Sequence, residues 1–111
     1  MNIDELTIGE LKKLAKIINL ESPENPHLWD IGEIYLIRTV TMIDTGKLIA
    51  VSDQELVLED AAWIPDTGRY TDAIRKAEFN EVEPYPDGKI WIGRGAIIDA
   101  VKIKKSPRSQ K

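Results

Sequence analysis

Residues 34–61 read Ile-Tyr-Leu-Ile-Arg-Thr-Val-Thr-Met-Ile-Asp-Thr-Gly-Lys-Leu-Ile-Ala-Val-Ser-Asp-Gln-Glu-Leu-Val-Leu-Glu-Asp-Ala. Ile34 to Ile43 is rich in β-branched and aromatic side chains, which fit a pleated, half-buried surface. Asp44-Thr45-Gly46 carries a turn signal, and Lys47 to Val51 forms a second apolar run. After the short polar connection Ser52-Asp53-Gln54, the segment Glu55 to Glu59 alternates, with Leu56 and Leu58 on one face and Val57 on the other. Links this short demand antiparallel neighbours, because a parallel crossover takes a dozen or more residues. The stretch therefore predicts a three-stranded meander that must curl or be covered to hide its apolar face.

Upstream, Thr7-Ile-Gly-Glu10 has the form of a capping box, and Leu11, Leu14, Ala15 and Ile18 recur at helical spacing. These predict a helix over 7–19. Pro23 and Pro26 make 21–32 a loop. Downstream, Ala61 to Ile64 continues the third strand or caps the core, and Pro65-Asp66-Thr67-Gly68 turns. Tyr70, Ala73, Ile74 and Ala77 fit one face of a short helix ending near Glu78. Glu81 to Gly88 reads as an irregular acidic stretch closed by Pro86-Asp87-Gly88. Lys89 to Ile92 is a fourth strand, Gly93-Arg94-Gly95 breaks it, and Ala96 to Ile103 is a fifth. The expected fold is mainly β with α: an N-terminal helix, then a five-stranded antiparallel small barrel, for which the OB fold and the SH3-like barrel are the generic candidates, with a helical insert over 65–88. One domain covers 1–103, and 104–111 is a basic, flexible tail.

Composition narrows the function. With 111 residues, 42% hydrophobic and 31% charged, the chain is one ordinary globular domain. It has no cysteine, which excludes a disulfide framework, a thiolate zinc site and a cysteine nucleophile. Its one histidine, His27, lies in a proline-containing loop and reads as a surface or partly packed side chain. No apolar run approaches the roughly 18 residues of a membrane span, and the acidic start lacks the basic region of a secretory signal, so a cytoplasmic protein is expected. Net charge is −4, but residues 1–101 carry 10 basic against 19 acidic side chains, a net of −9, and the last ten residues hold five bases. An acidic body of this kind repels long phosphate backbones.

The element order, together with two sequence blocks, resembles the Sm and Sm-like (LSm) family. Its second block, Arg-Gly followed by spaced apolar residues after a strand, is matched by Ile90-Trp-Ile-Gly-Arg94-Gly95-Ala-Ile-Ile98-Asp-Ala-Val101. Its first block, a curled meander with a glycine and a Leu-x-Leu ending, is matched by Tyr35 to Thr41, Gly46, Leu48 and Glu55 to Ala61. The match covers under half of the chain. It departs where the family carries a base-binding asparagine, since Glu55 precedes Leu-Val-Leu here. The resemblance implies a cyclic homo-oligomer, commonly of six or seven subunits, closed by pairing the last two strands of neighbours. It also implies RNA, or a small nucleotide-type ligand, at inter-subunit sites.

Arg94 and Gly95, with Asp53, Gln54 and Glu55, are the candidate ligand-binding residues. A guanidinium binds phosphate or stacks on a base, and glycines allow close backbone approach. Against this stand a structural arginine and a polar turn. Trp29, Trp63 and Trp91 could stack bases but read better as core or interface packing. Gly93-x-Gly95 lacks the rest of any nucleotide-loop motif, and the carboxylate pairs have no partner nucleophile or metal-loop spacing. The expectation is a non-enzymatic, ring-forming binding protein without cofactor, metal or membrane. The alternatives are a phage or mobile-element protein that sequesters a nucleotide signal, and a protein-interaction or structural ring without a nucleic-acid ligand.

Overall fold

A computed structural model describes residues 27–111, so the helix expected over 7–19 lies outside the described residues. Six strands and one helix follow in order: β1 (Ile34–Thr39), β2 (Ile43–Val51), β3 (Glu55–Asp66), α1 (Tyr70–Lys76), β4 (Glu81–Pro84), β5 (Ile90–Gly93), a 3-10 turn (Arg94–Ala96) and β6 (Ile97–Lys102).

The first turn falls earlier than the glycine suggested. β1 ends at Thr39, whose hydroxyl donates to the Met42 carbonyl at 2.9 Å and accepts from the Met42 N–H at 3.0 Å. Val40 to Met42 thus form the hairpin tip, and Asp44, Thr45 and Gly46 lie inside β2, all buried. Gly46 is there for packing: a Cβ at this position would stand 2.9 Å from the Leu58 Cβ and 3.1 Å from the Glu59 carbonyl oxygen. The side chain is missing where β2 and β3 cross most closely.

β3 is long enough to serve two partners. Its first part, Glu55 to Leu58, pairs with β5, and its second part, from Ala62 to Asp66, pairs with β4. Between them Asp60 takes a left-handed conformation (φ 53°), which aspartate tolerates better than most residues. The Ala61 N–H then donates to the Gly88 carbonyl at 2.8 Å. The segment expected as an irregular loop therefore contains a sixth strand, β4, in which Val82 is buried between exposed Glu81 and Glu83.

The sheet order is β4-β3-β2-β1-β6, with β5 beside the first part of β3. The expected closed small barrel is corrected here. β5 pairs only with β3 and β6 only with β1 among the described residues, so the pairing path β5-β3-β2-β1-β6 stays open at its two ends. The reason is local: the 3-10 turn at Arg94–Ala96 carries the chain away from β5, and β6 continues along β1. The helix that the described residues contain lies in the insert and is not N-terminal.

Both faces of the curled sheet are covered. On one, Tyr35, Ile37, Leu48, Leu56, Leu58, Ala61 and Ile92 form a core. On the other, Leu36, Ala62, Ile64 and Ile103 pack with Ala73 and Ala77 of the helical segment and with Phe79 and Val82. A seven-residue helix is too short to be stable alone, so this packing is what holds α1. The basic tail lies against the same region. Val82 and Lys111 exchange backbone hydrogen bonds at 2.9 Å, and the Arg108 guanidinium donates to the Ala61 carbonyl and, at 3.4 Å, to that of Tyr85.

Candidate functional site

The β3–β5 pairing sets Glu55 opposite Gly93 and so gathers the five sequence-derived candidates at one end of the sheet. The Arg94 N–H donates to the Gln54 carbonyl at 2.8 Å, and its guanidinium donates to the Ser52 carbonyl at 2.7 Å. Ser52 organises the turn itself, its hydroxyl accepting from the Glu55 N–H at 3.0 Å. Arg94 thus fastens the β2–β3 turn to the 3-10 turn. Asp53, Gln54, Glu55 and Gly95 are exposed around it. None of the five lines the two grooves around the β1–β2 hairpin tip, although Gly93 and Ala96, which flank Arg94 and Gly95, line one of them.

The surface around the β1–β2 hairpin tip, where the Val40 N–H donates to the Ala96 carbonyl at 3.0 Å, is where large apolar side chains are exposed. Val40 is 71% exposed, Met42 37%, Trp63 39% and Ile98 65%. They line one groove of about 440 Å³, floored by Ile43, Ile64 and Pro65. Each is placed by its element. Val40 and Met42 sit in the tight turn that Thr39 holds. Trp63 is in the second part of β3, opposite Asp44 and Glu83. Ile98 follows the irregularity in the β1–β6 register, where Thr39 pairs with Ile97 and Arg38 with Asp99. Beside the groove, Arg38 is paired with Asp99 and stacks 5.1 Å from the Tyr70 ring centroid, which fixes its rim.

A second groove, of about 470 Å³, shares Thr39 and Met42 with the first. It holds Asp44, Tyr85 and Trp91. The Tyr85 hydroxyl donates to Asp44 Oδ1 at 2.8 Å. Burial pushes the Asp44 carboxyl above its ordinary range, and the Tyr85 hydrogen bond opposes that in part. Tyr85 is in turn held well above the usual phenol range, first by its own burial and then by the carboxylate it serves. Trp91 is 59% exposed, and the Lys89 ammonium stands 5.4 Å from its ring centroid.

The tryptophans therefore divide. Trp29 is half-buried and meets Tyr35 edge-on, with centroids 5.1 Å apart, as packing predicts. Trp63 and Trp91, read from sequence as core or interface residues, are exposed on this end of the molecule. Sequence reasoning missed the hairpin-end surface because Val40, Met42 and Ile98 lie in apolar runs that look like strand interior. The one available signal was the length of the run from Ile34 to Ile43, which exceeds the mean strand length of about 5–6 residues and had to turn somewhere. Among the described residues no three metal-ligating side chains cluster, and no helix is long and apolar enough to cross a membrane.

Compared with family models, curated proteins and solved structures, the chain matches none of them. The Sm-like reading is thereby overturned. The sheet is open, no family match supports the two quoted blocks, and ring-forming RNA or nucleotide binding loses the ground on which it was expected. Arg-Gly followed by alternating apolar residues does not specify a family, and nothing local requires the glycine: Gly95 is outside the left-handed region and a Cβ there would meet open space.

Proposed function

We propose that this domain is a non-catalytic protein-binding module whose working surface is the hairpin end. The observation that carries the reading is the convergence of Val40, Met42, Trp63 and Ile98, four large and substantially exposed apolar side chains, on one groove. Scattered exposed apolar residues need no explanation, but a contiguous patch rimmed by polar groups marks an interaction surface. Trp63, one of its lining residues, is of a type enriched among those that dominate binding energy. The occupant is an apolar segment of a partner protein that also carries basic residues. The chain's net charge of −4 favours a basic partner over an acidic one.

The test is selection from a displayed random-peptide library with the purified protein. Enriched peptides should combine apolar and basic residues. Their binding should fall at least about tenfold in Trp63→Ala and Ile98→Asp, given the weight of central aromatic anchors. Far-UV circular dichroism and the urea midpoint show whether each variant is still folded. Failure to enrich any sequence, or binding that survives both substitutions, sinks the reading.

A further inference from the structure

The second groove contains a combination that folding alone does not call for. Asp44 is a carboxylate 5% exposed at the start of β2, lining a groove and bonded by one phenol. Tyr85 has only to donate a hydrogen bond, and an asparagine at position 44 would accept it equally well. Burying the charge of an aspartate instead carries a cost that an uncharged amide avoids. Trp91, 59% exposed, lines the same groove, and so does Lys89, whose ammonium stands 5.4 Å from the Trp91 ring centroid. Indole faces attract cations through their quadrupole, more strongly than phenol or phenyl rings do.

We propose that the Asp44–Tyr85–Trp91 groove is a binding site for an alkylammonium group, the head of a lysine side chain on the partner segment. The carboxylate supplies the opposite charge at the floor, Tyr85 holds that carboxylate in place, and Trp91 forms a π wall. The groove, about 470 Å³, is ample for a four-carbon stem and its ammonium, and Met42 and Ile90 line it with apolar surface for the stem. Because it shares Thr39 and Met42 with the apolar groove, one short segment can seat an apolar residue in one and a lysine in the other. The inference rests on the protein-binding reading for its partner, but the site chemistry can be tested without one.

The probe is n-butylammonium chloride, with n-butanol as the uncharged control and sodium chloride at matched ionic strength as the salt control. The readout is the ¹⁵N–¹H spectrum of the full chain, in which Trp29, Trp63 and Trp91 give separate indole signals and Trp91→Phe assigns the third. Butylammonium should move the Trp91 indole signal saturably, with a midpoint of roughly 10–100 mM for so small a ligand, and leave that of Trp29 in place. Asp44→Asn, which retains the acceptor for Tyr85 and the fold, should weaken the midpoint by about fivefold or more. No saturable shift, an equal shift with butanol, or an unchanged midpoint in Asp44→Asn would overturn the site. A positive titration beside an empty peptide selection rejects the peptide-binding reading and keeps the ammonium site. Enriched peptides without any cation response reject the site alone.

Discussion

Asp44 and Arg94 look equally polar in the sequence, and the fold uses them in opposite ways. Asp44 was read as part of a turn because Asp-Thr-Gly is a common turn sequence; inside β2 it becomes a buried carboxylate. Its raised folded pKa means that the native state binds a proton more tightly than the unfolded chain. Stability therefore falls as pH climbs from the unfolded value of 3.8 through the folded one, and the penalty is complete above that window. Asp99 has the reverse sign: the Arg38 hydrogen bond lowers its pKa, so its contribution is lost as pH falls. Asp44→Asn is expected to raise the urea midpoint at pH 7 and leave it nearly unchanged at pH 3. A midpoint lowered at pH 7 would show that the charge itself stabilises the fold. Arg94→Ala removes one guanidinium–carbonyl bond at a part-exposed site, so a loss of about 1 kcal/mol or less is expected in the same denaturation. A loss of several kcal/mol would make the β2–β3 turn a keystone of the sheet.

At the scale of elements, the sequence showed which segments are β but not where each ends. The alternation of Leu56, Val57 and Leu58 survives intact in the structure, Leu56 and Leu58 being fully buried and Val57 half-buried. The short helix predicted on Tyr70, Ala73, Ile74 and Ala77 is observed as Tyr70–Lys76, because those residues share the face that meets the second core. β4 was illegible: four residues with two glutamates and a proline bury one side chain, and only the neighbouring β3 makes them a strand. Gly46 was legible as a necessary glycine but for the wrong cause. Its φ is not in the left-handed region, and what it avoids is a collision with Leu58 and the Glu59 carbonyl. Gly46→Ala should thus destabilise by about 1–3 kcal/mol through overpacking, measured by chemical denaturation. A neutral result would mean that β2 and β3 can separate slightly at no cost.

At the scale of the molecule, the candidate site was the least legible part. Hydrophobic residues near a strand end and hydrophobic residues in a core have the same letters, and only the position of the Val40–Met42 turn separates them. The tail raises a similar question. Its composition predicts a solvated end, whereas Arg108 reaches two carbonyls and Lys111 pairs with Val82 of β4. Deleting 104–111 should expose the β4 region first. The expected outcome is faster proteolytic cleavage within 77–88, with the global unfolding free energy from urea denaturation lowered by no more than about 2 kcal/mol. Cleavage kinetics identical to those of the full chain would show that these contacts hold nothing in place.

β1 is flanked by β2 on one side and β6 on the other, and its side chains point alternately into both cores. In deuterated buffer, that enclosure becomes a clock. The amide protons of Leu36 and Ile37, in a strand enclosed by two neighbours and two apolar layers, should persist longest. The Thr41 amide at the exposed hairpin tip, where the proposed partner would land, should be lost well before them.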